Sequence, residues 1–200
     1  MSLELVNTLA SLATFLVIAA TGIAALVQLR HMRSSNQITA LNELIGVQHS
    51  QEYEAARHFV HAELPERLKD PTFRRDLYAF VNRERVSLET EREIAKIMAV
   101  GDYYENMGLL TKRGFVDRDS VLDVWAYMIR VEWARLEPVI RRFRAGAEES
   151  VYENFEYLVI LADNWKRAHP NGAYPAGLPR VTYKNDEWLE ADRSEIVNLR

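Results

Sequence analysis

Between Leu5 and Leu29 the chain carries no ionisable side chain, and this run decides most of what the chain can fold into. A helix rises about 1.5 Å per residue, so about 20 apolar residues cross a hydrocarbon layer of roughly 30 Å. The stretch from Leu12 to Val27 is almost wholly apolar or small, whereas a helix on the surface of a soluble domain keeps a polar face. The run therefore predicts a transmembrane helix. A secretory signal would need a basic segment ahead of its apolar core, but the residues there are Met1, Ser2, Leu3 and Glu4. Arg30, His31 and Arg33 follow the run. By the positive-inside bias the N-terminal side faces outward and everything after residue 29 lies in the cytoplasm.

Within the anchor, Ala20 and Ala24 stand four residues apart with Gly22 between them, and Thr21 and Ala25 repeat the spacing. Small residues at this interval let helix backbones approach closely in lipid. We therefore expect Ala20, Gly22 and Ala24 to touch a second copy of the chain. The plainer alternative is an alanine-rich anchor with no partner. No proline occurs before Pro65, and Ile38, Leu41, Leu44, Ile45 and Gln48 continue a helical period, so the anchor should leave the membrane as one long helix. Leu41 is expected to add a soluble part to the same self-contact.

Capping residues and prolines divide the remainder. Ser50 should cap a helix from Gln51 to about Glu63 that Pro65 stops, and Asp70-Pro71 opens another reaching Asn82. Ser87 starts a longer helix with an inner stripe of Ile94, Ile97, Met98, Gly101, Tyr104 and Gly108, ended by Gly114. Asp117 caps the next, which buries Leu122, Trp125, Ile129, Trp133 and Leu136. Pro138 should break or restart it, and Gly146 should end its second half. A last helix carries Val151, Phe155, Leu158, Ala162 and Trp165. The expected fold is all-α: one N-terminal transmembrane helix, a cytoplasmic bundle of four to five helices and an irregular C-terminal tail. The segments are an anchor at 1–29, a juxtamembrane helix at 30–49, a helical domain at 50–168, and an extended or disordered tail at 169–200.

Composition removes several function classes. With 25 basic against 29 acidic side chains and a net charge of −4, the chain lacks the broad basic field of a nucleic-acid binder. Without cysteine it has no disulfide, thiolate nucleophile or Cys-ligated zinc. Glycine-rich phosphate loops, Ser-His-Asp sets and His-Glu-x-x-His motifs are missing too.

Three weaker constellations remain. Glu54, His58 and His61 fall at i, i+4 and i+7 of one helix and could together hold a divalent metal. The plainer reading is a solvated polar face, and Arg57 beside them disfavours a cation. Asp102 and Glu105 lie one turn apart and could meet Glu132 or Asp123, as carboxylates do in di-metal bundles. A salt-bridged interface with Arg130 or Arg135 accounts for them more simply. Lys112-Arg113, Arg141, Arg142, Arg144 and Lys166-Arg167 could gather against anionic lipid, though cations in the last turns of helices explain each pair separately. We expect no cofactor and no catalytic residue.

The opening Leu5-Val-Asn-Thr-Leu-Ala-Ser-Leu-Ala-Thr14, the Arg30-His31 exit, Tyr104-Glu-Asn-Met-Gly-Leu-Leu110, Ser120-Val-Leu-Asp-Val-Trp125 and Trp133 resemble the bacterial domain of unknown function 4760 family, over most of residues 1–168. The resemblance implies the layout of anchor plus helical domain and brings no activity with it. In layout alone the chain is also similar to small CRISPR-associated membrane proteins with a degenerate helical ribonuclease-like domain. The spacing of Arg57 and His61 departs from that nuclease motif. The expected function is a self-associating interaction module in a bacterial inner membrane, with the lipid bilayer, copies of itself and a cytoplasmic protein as partners. An oligomeric membrane-perturbing or pore-forming effector is the alternative. A helical nuclease-like or metal-dependent enzyme ranks behind both.

Overall fold

A computed structural model gives the fold, describing residues 3–182 together with Trp188 and Asp192. Among the described residues there is no strand. The first element, α1 (Leu3–Gln48), is a single helix of 46 residues. Its most apolar window has a mean hydropathy of 2.2, and none of that window is buried against the rest of the chain. Further along the same helix the environment changes. Ala40 and Leu41 are partly buried against the core, and Leu44 is only 6% exposed. Two side chains from the bundle hold this end: Tyr103 Oη donates to the Leu44 carbonyl (3.3 Å) and Trp125 Nε1 donates to Gln48 Oε1 (3.0 Å).

The bundle consists of α2 (Gln51–His58), a π-helical turn over Phe59–Glu63, α3 (Leu64–Arg67), α4 (Pro71–Val81), α5 (Leu88–Lys112), α6 (Arg118–Gly146) and α7 (Glu153–Ala168). The four predicted caps hold. Ser50, Asp70, Ser87 and Asp117 accept the backbone N–H of Tyr53, Thr72, Thr90 and Ser120, each such cap contributing about 1 kcal/mol. Helix α7 packs against both α5 and α6, while α2 lies on α5 and α4 on α6. Trp125, Tyr104, Phe59, Phe73 and Phe155 are the largest side chains sealed inside. Tyr104 stacks on Phe155 with centroids 4.8 Å apart.

Two prolines do not act as the sequence suggests. Pro65 does not stop its helix. A regular turn would leave the His61 carbonyl facing a proline that has no N–H to give. The chain widens into the π turn instead, with Leu64 N–H bonded to Phe59 O, and Arg135 donates to the His61 carbonyl at 3.2 Å. Pro138 likewise neither breaks nor restarts α6. An interior proline costs about 3 kcal/mol, but Leu136, Val139, Ile140 and Phe143 around it are all buried. At roughly 1.5–3 kcal/mol for each such side chain removed from water, keeping the helix in register outweighs the lost bond.

Close approach of α5 and α7 depends on two glycines. A Cβ on Gly108 would sit 2.1 Å from the Asn154 carbonyl oxygen, and one on Gly101 would sit 2.9 Å from the Tyr152 ring. Tyr152 itself has φ +58°, a left-handed conformation that a bulky residue adopts only when held there. Its hydroxyl donates to Asp102 Oδ1 at 2.9 Å. Beyond Ala168, residues 169–182 contain no helix. A separate unit begins at Asn171, and in it the Arg180 guanidinium lies over the Tyr174 ring. The rest of the expected tail, at 183–187, 189–191 and 193–200, lies outside the described residues.

Candidate functional site

Glu54, His58 and His61 do line one open recess, and Arg57 lines it with them. His61 points its Nε2 at Glu132 Oε1, 2.7 Å away, and Arg57 Nε donates to the same oxygen at 3.1 Å. His58 Nδ1 lies 3.9 Å from Glu63 Oε1. The arrangement gives one imidazole a carboxylate partner and sets a guanidinium where a metal would have to sit. Among the described residues no three His, Asp or Glu side chains are placed to hold a metal ion.

Glu132, expected beside Asp102 and Glu105, is instead the buried acid behind Arg57 and His61. It occupies the inner stripe of α6 between Ile129 and Leu136 and is 0% exposed, whereas the Arg57 and His61 side chains are 42% and 27% exposed. A carboxylate in an apolar stripe was the available signal, since a buried acid needs a partner from a facing helix. Burial, together with the negative charge of Glu132, pushes the Tyr53 phenol up to about 12 and the Tyr104 phenol further. Both phenols therefore keep their protons at neutral pH. The cluster fixes the α2–π segment on α6.

Asp102 and Glu105 meet neither Glu132 nor Asp123. Asp102 accepts the Tyr152 hydroxyl, and burial raises its carboxyl above the ordinary range. Glu105 accepts Asn154 Nδ2 at 2.7 Å and the Phe155 backbone N–H at 2.8 Å. The residue at the N-cap of α7, Tyr152, offers no side-chain cap. Glu105 supplies one from the neighbouring helix, placing negative charge at the positive end of the α7 dipole. Of the two arginines expected against these acids, Arg130 pairs with Asp163 instead (2.6 Å) and Arg135 caps His61.

Most of the clustered cations have partners of their own. Arg141 pairs with Glu137, Arg144 with Glu156 and Lys112 with Glu153. Arg142, Lys166 and Arg167 spend donors on Pro138 O, Pro170 O and Asn164.

An apolar face of α1 is left uncovered by the chain. Ala20, Gly22 and Ala24 are all exposed, and a Cβ on Gly22 would meet nothing within 4 Å. Leu41 is different. It is half-buried against its own bundle, because Gln37, Leu41, Leu44 and Gln48 form the side of α1 that docks. The outward apolar residues of that segment are Ile38 (58% exposed) and Ile45 (36%). Val47 (48%) is exposed there as well.

The family described as Domain of unknown function (DUF4760) matches the chain over residues 15–165. No curated protein and no solved structure matches it.

Proposed function

The chain belongs to the DUF4760 family, and we propose that it is a membrane-anchored helical module that self-associates and presents its bundle to a cytoplasmic protein partner. The observation that carries this reading is α1, which is apolar and unburied over its first part and docked into the core at its end. An exposed apolar surface of that extent calls for lipid or another helix to cover it. The same continuity favours an anchor over a cleaved leader, since Leu44 and Gln48 belong to the folded domain. The proposed site is the inner membrane of a bacterial cell, with the bundle inside. Val124, Tyr127 and Ile160 are exposed on α6 and α7 and offer apolar anchors to a partner.

A pore would need a polar stripe along α1; Thr8 and Thr21 donate to their own helix, at Glu4 O and Val17 O, and offer water only their acceptor lone pairs.

Alkaline phosphatase fused after Arg200 should stay inactive, because that enzyme matures only outside the cytoplasm. An active fusion reverses the orientation. Assembly is read by crosslinking the full chain in membranes at near-native density. Gly22→Ile leaves the single chain undisturbed, since its site is open, and should lower the crosslinked fraction severalfold. Ile38→Asp should add to that loss if both segments share one interface. A wild type that stays monomeric removes self-association and leaves a simple tether.

A further inference from the structure

The loop between α5 and α6 returns to α1 just past the end of the apolar run. Gln37 Nε2 donates to the Gly114 carbonyl at 3.3 Å, and Gly114, at φ +70°, makes the turn that allows this. Leu29, Met32, Arg33, Gln37, Arg113 and Phe115 line a recess of about 390 Å³ at the junction. Its apolar members are open to solvent: Phe115 is 61% exposed, Leu29 60% and Met32 54%. Its two arginines make neither a side-chain hydrogen bond nor an ion pair among the described residues, whereas the clustered cations Lys112, Arg141, Arg142, Arg144, Lys166 and Arg167 each donate to a neighbour. Neither Arg33 nor Arg113 has a carboxylate within ion-pair distance among the described residues.

Position gives the recess its meaning. Arg33 stands about 6 Å along the helix beyond Leu29, and Gln37 about 12 Å. The headgroup layer beyond each face of the hydrocarbon is roughly 5–8 Å deep. If α1 crosses the bilayer as proposed above, the recess opens into that layer. An exposed Phe ring at this level is favoured at the boundary between headgroups and acyl chains, and paired guanidinium groups match the geometry and charge of a phosphate.

We propose that this recess binds the phosphate headgroup of one anionic phospholipid from the leaflet through which α1 leaves the membrane, with Phe115 seated at the headgroup–acyl boundary. The inference rests on the anchor reading. A bound headgroup ties the bundle to the membrane surface at a second point, through the α5–α6 loop.

The test uses the full chain in phosphatidylcholine nanodiscs titrated with phosphatidylglycerol, with retained lipid counted by native mass spectrometry. Wild type should hold one phosphatidylglycerol in preference to phosphatidylcholine. A basic residue near an anionic surface contributes roughly fivefold in affinity, so Arg33→Ala with Arg113→Ala should weaken retention on the order of twenty- to thirtyfold. Arg85→Ala with Arg92→Ala removes the same charge elsewhere and should leave retention unchanged. Equal loss in both pairs, or none in the first, overturns the site. Displacement of the lipid by millimolar inorganic phosphate overturns the lipid as its ligand. Alkaline carbonate extraction separates the two readings: release of the chain overturns the anchor and the site with it, while a retained chain without lipid preference overturns the site alone.

Discussion

Trp125→Ala lowers the stability of the fold by about 3–5 kcal/mol, the usual cost of truncating a large aromatic in a packed core. Trp125 is 2% exposed, so the lost volume leaves a cavity instead of admitting solvent. Its indole also holds the end of α1 through Gln48, and the truncation strips the Gln48 amide oxygen of its donor. Trp125→Phe separates the two effects: it keeps most of the apolar volume and should cost less than half as much. Thermal unfolding of the detergent-solubilised full chain checks both variants. In a chain of this size about 1 kcal/mol corresponds to roughly 2–4 °C, so Trp125→Ala should unfold on the order of 10 °C lower. An unchanged midpoint would show that Trp125 is not part of the core.

Gly108→Val is expected to be comparably severe for the opposite reason, excess volume. Already at the Cβ stage the nearest neighbour is a backbone carbonyl at 2.1 Å, with its carbon at 2.6 Å. A backbone cannot rotate away as a flexible side chain can, so α7 has to move off α5. Movement there also breaks the Glu105 cap on Phe155 N–H and the Tyr152–Asp102 bond. Overpacking typically costs about 1–3 kcal/mol, and loss of the two polar contacts carries the total to about 3 kcal/mol or more. Gly22→Val has open space around it and is the matched control. Equal midpoints for the two valine variants would contradict the close contact between α5 and α7.

Much of this fold was legible because its signals are local. The uncharged run, the absence of proline before Pro65 and the caps at Ser50, Asp70, Ser87 and Asp117 act through nearest neighbours along the chain. The inner stripes of α5 and α6 were legible for the same reason, since periodicity reports a buried face without naming what covers it. The errors fall where a distant group decides. Pro65 was expected to stop a helix, but the chain continues through a π turn and Arg135, 74 residues away, donates to His61 O. Pro138 stays in its helix because of the core around it. Asp102 and Glu105 were expected at a charged interface, whereas they hold the start of α7.

The site was less legible than the fold. Glu54, His58 and His61 share a face as their spacing requires, but only the structure reveals Glu132 behind them. Leu41 shows the limit of periodicity from another side. The stripe through Ile38, Leu41 and Ile45 reads as one face, yet the bundle takes Leu41 and leaves the two isoleucines outside. A hydrophobic period cannot say how a face is shared between the chain's own core and a second molecule.

Helix α1 runs without interruption from the apolar segment to the docked end at Leu44 and Gln48, so it behaves as a stiff shaft and not as a leash. With α1 in a bilayer as proposed, turning or tilting it turns or tilts the bundle with it, because no loop between them absorbs torsion. Its length is also its phase: one residue more or less between Arg33 and Gln37 rotates one end against the other by about 100° and shifts it by about 1.5 Å. The facing of the bundle is thereby geared to whatever sets the azimuth of the anchor.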